Sequence, residues 1–330
     1  MNERHPPRLA IRGLSKSFGG VHALSAADLA VMPGEIHGLL GKNGSGKSTL
    51  IKILSGFHKP DGGTLEIDGK PVPLPIPPGR SERIGLSFVH QNLGLLPEAT
   101  VLENLIAGDH ERVASWFINW PAEAARARRL FAEHHLDLDP WAAVEELPPV
   151  KRAQLAIIRA ADRVGSHNEQ ATPGLLVLDE PTPFLPIEDV RELFAMMRRL
   201  KQSGVSIIFV SHDIDEVMEI TDRATVLRDG QVIGSFETGR TDRSEIVAAI
   251  VGRSMSQARL VGDAPSGTDA ATAVEGLRGR FVDNLDLKVA PGEILGLTGL
   301  IGSGYDEVPY LLSGASAAVA GRLSMGGRSH

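Results

Sequence analysis

The sequence feature that most constrains the fold is a glycine-rich loop between an apolar run and a helical pattern. Residues 36–40 read as a strand, 41–46 as the loop and 47–54 as a helix. The segment from Gly41 to Ser48 fits G-x-x-x-x-G-K-[ST], in which glycines let backbone N–H groups converge on a phosphate chain. The N-terminus of the following helix adds positive partial charge at the same place. The pattern therefore predicts a strand–loop–helix unit that binds a nucleoside triphosphate.

The residue types at the end of this loop fit magnesium-dependent phosphate binding. Lys47 is placed to reach the β- and γ-phosphate oxygens, and the Ser48 hydroxyl can ligate Mg²⁺. The competing interpretation, an ordinary glycine-rich turn, is disfavoured by the flanking strand and helix patterns. The candidate nucleotide-binding residues of the loop are Gly41, Lys42, Asn43, Gly44, Ser45, Gly46, Lys47, Ser48 and Thr49.

A second element with chemical meaning is an apolar run over 175–178 that ends in two adjacent carboxylates, Asp179 and Glu180. At the C-terminal edge of a parallel sheet, Asp179 would lie beside the phosphate loop and hold the Mg²⁺ shell. Glu180 is then placed to polarise an attacking water. Two solvated acids at a strand end are the plain alternative, which the phosphate loop disfavours.

The distribution of apolar runs predicts the α/β class. Residues 175–178 and 207–210 are continuously apolar rather than alternating, which is typical of strands buried on both faces of a parallel sheet. Helical patterns over 121–134, 151–163 and 187–202 lie between such strands. The dipeptide at 229–230, Asp-Gly, predicts a hairpin.

Composition excludes several other classes of protein. The 330 residues contain no cysteine, which removes disulfide frameworks, Cys-ligated zinc, iron–sulfur clusters and thiol nucleophiles. The net charge of −7 argues against a general electrostatic grip on nucleic acid. No apolar run approaches the length of a membrane span, and the first residues lack the apolar core of a signal peptide.

Further motifs, in their order along the chain, make the sequence resemble an ATP-binding cassette (ABC) ATPase. They are the aromatic in KSFGG at 16–20, the glutamine in SFVHQ at 87–91, DEPT at 179–182, SHD at 211–213 and VLRDG at 226–230. The similarity is closest to the duplicated-cassette subunit of bacterial monosaccharide importers. It implies a mostly parallel core sheet flanked by helices, an antiparallel β subdomain, a helical subdomain and a partial second copy.

The resemblance assigns roles residue by residue. Phe18 matches the aromatic that stacks on adenine, and Gln91 the lid glutamine that contacts Mg²⁺ and the water. His212 matches the switch histidine. Taken singly, Phe18, Gln91 and His212 would each be interpreted as an ordinary core or surface residue. The implied catalytic residues are Lys47, Gln91, Glu180 and His212, and the implied magnesium ligands are Ser48, Gln91 and Asp179.

An internal repeat predicts the domain organisation. PGEIHGLLGKNGSGKSTLIKILSG begins at residue 33 and PGEILGLTGLIGSGYDEVPYLLSG at residue 291. We therefore expect a complete cassette over 1–253, a linker over 254–274 and the N-terminal fragment of a degenerate second cassette over 275–330, truncated at its C-terminus. We expect that fragment to hold a phosphate-loop strand and helix without the later strands of its sheet.

Three segments depart from the family pattern. The family's Leu-Ser-x-Gly-Gln signature aligns with Leu-Pro-Pro-Val-Lys at 147–151, which loses a hydroxyl and two N–H donors and gains a β-branched side chain. The loop at 183–187 replaces one that relays signals between paired sites. In the second phosphate loop, Tyr305 and Asp306 replace the lysine and hydroxyl, and an acid there repels a triphosphate.

These observations predict an ATPase subunit, with ATP and Mg²⁺, that powers monosaccharide import. The expected partners are membrane permease subunits and, through them, an external sugar-binding protein, with a second cassette half for the ATP sandwich and no nucleic acid. The expected location is the cytoplasmic face of the membrane, as a peripheral protein. The alternatives are a non-catalytic nucleotide-binding fragment and a soluble tandem cassette not linked to transport.

Overall fold

The computed structural model describes residues 6–77, 79–107, 118–167, 173–183, 185–252, 272–299, 303–325 and 328–329. The chain divides into two compact units, an N-terminal unit over 1–256 and a C-terminal unit over 257–330. The predicted linker over 254–274 lies almost entirely outside the described residues.

The strands of the N-terminal unit are β1 (Leu9–Phe18), β2 (Val21–Val31), β3 (Ile36–Leu40), β4 (Gly62–Ile67), β5 (Lys70–Val72), β6 (Leu86–Val89), β7 (Leu175–Asp179), β8 (Ser206–Val210), β9 (Arg223–Arg228) and β10 (Gln231–Glu237). Its helices are α1 (Lys47–Leu54), α2 (Val101–Ile106), α3 (Trp120–Glu133), α4 (Pro149–His167), α5 (Ile187–Gln202), α6 (Ile214–Ile220) and α7 (Arg243–Val251), with a 3₁₀ turn at Val144–Glu146.

The core sheet has the strand order β10-β9-β3-β8-β7-β6, in which β9, β3, β8, β7 and β6 are parallel and β10 is antiparallel. All residues of β3 and β8 are buried, as are the first four of β7, which confirms the prediction from their continuous apolar runs. The β9–β10 connection is the predicted hairpin, in which Asp229 and Gly230 have φ of 51° and 78°. The α/β prediction is confirmed.

Helix α1 lies between the core sheet and a second, antiparallel sheet of order β2-β1-β4-β5. Its buried side chains Leu50 and Leu54 belong to one apolar cluster with Leu9 of β1, Leu24 of β2 and Val177 of β7. Burial on both sides fixes the helix, and the parallel strands fix its start beside their C-terminal ends. The glycine-rich loop is held at that edge.

The opposite face of the core sheet is covered by helices α2 to α7. Residues Leu178 of β7 and Phe209 of β8 share an apolar cluster with Leu105 of α2, Ile157 of α4 and Phe194 of α5. The rings of Phe194 and Phe209 meet edge-to-face at 5.8 Å, an arrangement that aromatic pairs prefer. Helix α4 thereby packs against both the strands of the core sheet and the other helices of this unit.

The C-terminal unit contains β11 (Thr272–Arg278), β12 (Leu285–Val289), α8 (Val308–Leu312), β13 (Ala320–Met325) and β14 (Arg328–Ser329). Its strands form an antiparallel sheet of order β12-β11-β13-β14. The buried core is small and consists of Val274, Leu277, Val282, Val308 and Leu311.

The prediction of a phosphate-loop strand in the C-terminal unit is wrong. Residues 293–299 have no strand structure, and Ile294 is 98% exposed, whereas its repeat equivalent Ile36 in β3 is 1% exposed. The physical reason is pairing: β3 lies between the parallel strands β8 and β9, and the described part of the C-terminal unit offers no such neighbours. The predicted helix is present, but only as the short α8.

Among the described helices, none combines the length and apolar character that crossing a bilayer requires.

Candidate nucleotide-binding site

The glycine-rich loop wraps closely at two of its glycines. Gly46 has φ of 108° and serves as the N-cap of α1, where a Cβ would lie 2.5 Å from the Ala23 carbonyl oxygen. At Gly41 a Cβ would lie 2.3 Å from the Leu227 carbonyl oxygen. Any side chain at either position would push the loop away from strands β2 and β9. The two glycines are therefore required for the shape of the loop.

Lys47 is folded back into the loop that precedes it. Its Nζ donates to the carbonyl oxygens of Gly41 at 2.7 Å and Lys42 at 3.2 Å. Burial lowers the pKa of Lys47, while the charges of Glu180 and Asp179 act in the opposite direction. The amine is thus held at the phosphate loop, facing both carboxylates of the second motif.

Most of the sequence-predicted residues of both motifs, all except Gly41 and Lys42, line one cavity of about 380 Å³. Its walls are Asn43, Gly44, Ser45, Gly46, Lys47, Ser48, Thr49, Asp179 and Glu180, together with Ala23. Residues separated by about 130 positions in the chain meet here because β7 and β3 are both parallel strands of one sheet, with β8 between them. Gly41 and Lys42 contribute the carbonyl oxygens that hold Lys47.

Asp179 is the last residue of β7, and Glu180 follows in a left-handed conformation with φ of 50°. A residue other than glycine rarely adopts this region, and such strain is typical of functional positions. Burial raises the pKa of the Asp179 carboxyl, and the neighbouring Glu180 charge adds to the increase. The backbone N–H of Glu180 donates to the Val210 carbonyl at 2.9 Å, which ties it to the end of β8.

His212 follows β8 and lies within reach of Glu180. The distance from its Nδ1 to Glu180 Oε1 is 3.4 Å, and its side chain is 67% exposed. The structure therefore brings the predicted switch histidine and the predicted catalytic glutamate together, with the histidine open to solvent.

Gln91 lies next to the cavity of the phosphate loop without lining it. It shares a neighbouring cavity of about 580 Å³ with Asp179, His90 and Lys52, and another of about 170 Å³ with Glu180. Gln91 follows β6, whose neighbour in the sheet is β7. The predicted lid glutamine is thus adjacent to both carboxylates.

Phe18 is the predicted site residue that lies apart from this cluster. It ends β1, is 43% exposed and meets the His58 ring edge-on at 5.1 Å. The Lys16 ammonium lies 5.2 Å from the centre of its ring. Because the Phe18 ring is exposed, a base could stack on it. Its role in binding adenine stays a prediction.

Ser45 is one of the predicted nucleotide-binding residues, and its hydroxyl, to which the sequence pattern assigns no particular role, is buried. Its Oγ finds no hydrogen-bond partner within the described residues, although Ser45 is only 3% exposed. The Ser45 carbonyl accepts from the Gly230 N–H at 3.1 Å, which ties the loop to the β9–β10 hairpin. Gly230 and Ala23 were not singled out as loop supports, because only the packing of β2 and β9 brings them there.

The donor set fits a triphosphate with Mg²⁺. An unpartnered buried hydroxyl at Ser45 and a tight loop that depends on Gly41 and Gly46 match the requirements of a bound phosphate. Ser48, Asp179 and Gln91 supply hydroxyl, carboxylate and amide oxygens, which Mg²⁺ prefers. Among the described residues, no cluster of three or more His, Cys, Asp or Glu is found.

The segment aligned with the family signature begins helix α4. The helix starts at Pro149, after Pro148, and neither residue carries a backbone N–H. Val150 is 4% exposed and points into the protein rather than offering an open surface. The helix start therefore lacks two of the backbone donors with which a helix N-terminus could bind an anion.

The second phosphate loop is described only at its two ends, since Leu300, Ile301 and Gly302 lie outside the described residues. The Glu307 carboxylate, at the start of α8, accepts the N–H groups of Arg280, Phe281 and Val282 at 2.8, 2.8 and 3.2 Å. The Phe281 and Arg280 amides lower the pKa of this carboxyl. The backbone N–H groups beside this loop are therefore already hydrogen-bonded to the Glu307 carboxylate.

Comparison with known proteins shows what this chain is similar to. Residues 24–183 match the sequence model of the family described as "ABC transporter". The chain is 39% identical over 323 residues to the ribose import ATP-binding protein RbsA 1 of Rubrobacter xylanophilus. It is 34% identical over 330 residues to the fructose import ATP-binding protein FruK of Bifidobacterium longum. Both alignments cover 98% of this chain and 62% of the relative's length.

Solved structures agree with the fold. The crystal structure of the ADP conformation of an ATP-binding cassette of an ABC transporter matches with a TM-score of 0.63 and 25% identity, covering 75% of this chain and 99% of that one. A nucleotide-free ATP-binding cassette from an ABC transporter matches with a TM-score of 0.62, covering 74% of this chain and 95% of that one. The fold is that of an ABC ATPase cassette.

Proposed function

We propose that this chain, which carries an ABC transporter ATPase domain homologous to sugar import ATP-binding proteins, binds Mg·ATP and serves the import of a monosaccharide. The observation that carries the proposal is the single cavity lined by residues 43–49 of the phosphate loop together with Asp179 and Glu180. That cavity combines phosphate donors with the two carboxylates that hydrolysis requires.

The phosphate loop would bind the triphosphate through its backbone N–H groups and the N-terminus of α1. Lys47, now hydrogen-bonded to Gly41 and Lys42, would exchange those carbonyls for β- and γ-phosphate oxygens. Ser48, Asp179 and Gln91 would hold Mg²⁺, which supplies neutralisation of phosphate charge when bound.

Hydrolysis would be an in-line attack of water on the γ-phosphorus, driven by positioning and electrostatics. Glu180 would orient and polarise that water, with Gln91 beside it. His212, at 3.4 Å from Glu180, would contact the γ-phosphate. Glu180 would thus act on the water, while Lys47 would neutralise the charge that develops in the transition state.

The chain by itself should turn ATP over poorly. Cassettes of this family enclose ATP between the phosphate loop of one half and the signature of another. Here Pro148 and Pro149 remove backbone donors of one signature, and Val150 places a β-branched side chain in it. Tyr305 and Asp306 degrade the phosphate loop that would face it. The working site at Lys47 would need a signature from a second cassette half.

The transport role rests on the relatives, whose names describe import of ribose and of fructose. The chain spans 62% of their length, so the partners belong to this proposal: permease subunits, an external sugar-binding protein and a second cassette half. We further propose a peripheral position on the cytoplasmic face of the membrane. Which sugar is carried depends on the permease and the external binding protein.

The test is ATP turnover by the purified 330-residue chain with Mg²⁺. We expect ATP binding that Lys47→Ala abolishes, with slow hydrolysis that Glu180→Gln reduces further by about 100-fold or more. The matched control is Lys59→Ala, which removes an exposed lysine outside the loop and should change neither. Fast turnover by the isolated chain that Lys47→Ala abolishes would contradict the need for a second half.

A non-catalytic nucleotide-binding role is the second candidate, favoured by the degenerate helix start at Pro149. It predicts binding that depends on Lys47 and no hydrolysis in the wild type, even with the chain in molar excess over ATP. Detectable single-turnover hydrolysis that Glu180→Gln removes would exclude it.

A further inference from the structure

Glu216 in helix α6 accepts two hydrogen bonds on a single carboxylate oxygen. Its Oε2 lies 2.8 Å from Thr182 Oγ1 and 2.9 Å from Ser211 Oγ. Thr182 and Ser211 are 6% and 2% exposed, so both hydroxyls are removed from water. Hydrogen bonds from buried donors to a charged acceptor are stronger than those between neutral groups.

The two hydroxyl groups belong to different loops of the candidate site. Thr182 lies two residues after Glu180, in the segment that leaves β7, and Ser211 lies directly before His212, at the end of β8. Helix α6 begins at residue 214, after the His212 loop, and its Glu216 reaches back to both segments. One side chain therefore bridges the loops that carry the glutamate and the histidine.

The Ser211 hydroxyl also accepts the backbone N–H of Asp213 at 3.0 Å. Asp213 in turn caps α6 by accepting the N–H groups of Asp215 and Glu216. The residues on either side of His212, Ser211 and Asp213, are therefore both hydrogen-bonded to Glu216. By contrast, His212 and Glu180 contact each other only through one long, 3.4 Å approach.

We propose that Glu216 is a positioning residue, which fixes the distance between Glu180 and His212 by holding Thr182 and Ser211 on one oxygen. This inference rests on the proposed function, because the distance matters only if Glu180 and His212 act on one phosphate. Glu216 touches neither of them in the described contacts and acts through the two hydroxyl residues. Catalytic geometry is sensitive to displacements of about 1 Å, so loosening the bridge should slow the reaction.

The variants are chosen to separate loss of the acceptor from loss of charge. Glu216→Ala removes the acceptor, and Glu216→Gln retains an amide oxygen that can accept both hydroxyls. Thr182→Val and Ser211→Ala remove the two donors singly and together. Glu219→Ala is the matched control, since Glu219 lies on the same helix and pairs with Arg198 at the surface.

The first readout is hydrogen exchange in two peptides, which requires no catalysis. One covers 180–183, where the exchangeable amides are those of Glu180 and Thr182, and the other covers 211–216. We expect Glu216→Ala to accelerate exchange in both peptides by about tenfold or more, with strands β7 and β8 unchanged. Glu216→Gln and Glu219→Ala should leave both peptides close to wild type. Faster exchange across the whole N-terminal unit with Glu216→Ala, or in neither peptide, would overturn the proposal.

The second readout is single-turnover ATP hydrolysis together with ATP affinity. We expect Glu216→Ala to lower the rate by about 10- to 100-fold with affinity changed by less than about threefold. The Thr182→Val and Ser211→Ala double variant should match it, and Glu216→Gln should recover most of the rate. Equal rates in wild type and Glu216→Ala would overturn the inference.

The two proposals fail in different ways. Loss of the proposed function appears as ATP binding that is insensitive to Lys47→Ala, whatever happens at Glu216. Loss of the Glu216 inference appears as intact Lys47-dependent binding with unchanged loop exchange in Glu216→Ala. If wild-type hydrolysis is undetectable, the exchange experiment decides the inference alone.

Discussion

At the scale of single residues, the candidate site contains ionisable side chains whose burial disfavours their charged forms. Burial raises the pKa of Asp179 and lowers that of Lys47, so each group loses some preference for its charged form. Glu180 adds backbone strain at φ of 50°. Such destabilising features are typical of sites that a ligand completes.

The substitution Asp179→Asn should stabilise the nucleotide-free protein at neutral pH. The folded-state pKa of Asp179 is raised above its unfolded value, so the wild type loses stability as the pH rises through these two values. Asparagine has no charge to bury. Thermal unfolding at neutral pH should therefore show a Tm higher by a few degrees.

The control for this comparison is to measure the Tm of wild type and Asp179→Asn over a range of pH. Below the ordinary carboxyl range, Asp179 is protonated in both states and the two proteins should have equal Tm. Mg²⁺-dependent ATP binding should weaken in Asp179→Asn. A Tm difference that is the same at all pH values, or a lower Tm at neutral pH, would contradict the account.

At the scale of elements, helix α4 holds the turn that follows Gln91. Arg159 of α4 donates to the carbonyl oxygens of Leu93 at 2.9 Å and Gly94 at 2.8 Å. Leu93 has φ of 57°, which is strained for a leucine, whereas Gly94 adopts its φ of 55° readily. The charged donor of Arg159 therefore holds a turn that contains one strained residue. Burial, helped by the neighbouring Arg163, lowers the pKa of Arg159 to about 10, which leaves it charged at neutral pH.

Replacing Arg159 by methionine should destabilise the N-terminal unit by about 1–3 kcal/mol, because two carbonyl oxygens lose a charged donor. Methionine retains an unbranched apolar stem, so the change mainly removes the hydrogen bonds. Urea unfolding measures the loss, with Arg128→Met on the exposed face of α3 as the control. Equal unfolding free energies for the two variants would show that the turn does not depend on Arg159.

Sequence reasoning identified the elements whose signals are local. The apolar runs of β3 and β8 and the patterns of α1 and α5 predicted those elements with the bounds that the structure has. Helix α4 starts two residues before its predicted start, because proline is tolerated in a first helical turn. The Arg159 and Glu216 contacts carry no local signal, since their partners are brought to them only by tertiary packing.

The phosphate-loop strand predicted for the C-terminal unit shows where local signals are insufficient. Its sequence repeats that of β3, yet Ile294 is exposed where Ile36 is buried. A parallel strand is stabilised by hydrogen bonds to neighbours on both sides, and those neighbours are distant in sequence. The repeat therefore predicted an element whose pairing partners the described C-terminal unit does not supply.

At the scale of the whole molecule, the two units differ in what they can bind. The N-terminal unit combines a complete six-stranded sheet with a phosphate loop that keeps Lys47 and Ser48. The described residues of the C-terminal unit form a core of five buried residues, and Tyr305 and Asp306 stand where the lysine and hydroxyl would be. We therefore propose that the first unit binds the nucleotide.

The most direct test of this claim is the number of ATP molecules bound per chain, measured by isothermal titration calorimetry with Mg²⁺. We expect one ATP per chain for the wild type, one for Glu180→Gln and none for Lys47→Ala. Glu180→Gln retains binding because Glu180 is proposed to act on the water rather than on the phosphates. Two ATP molecules per chain, or binding that survives Lys47→Ala, would contradict the account.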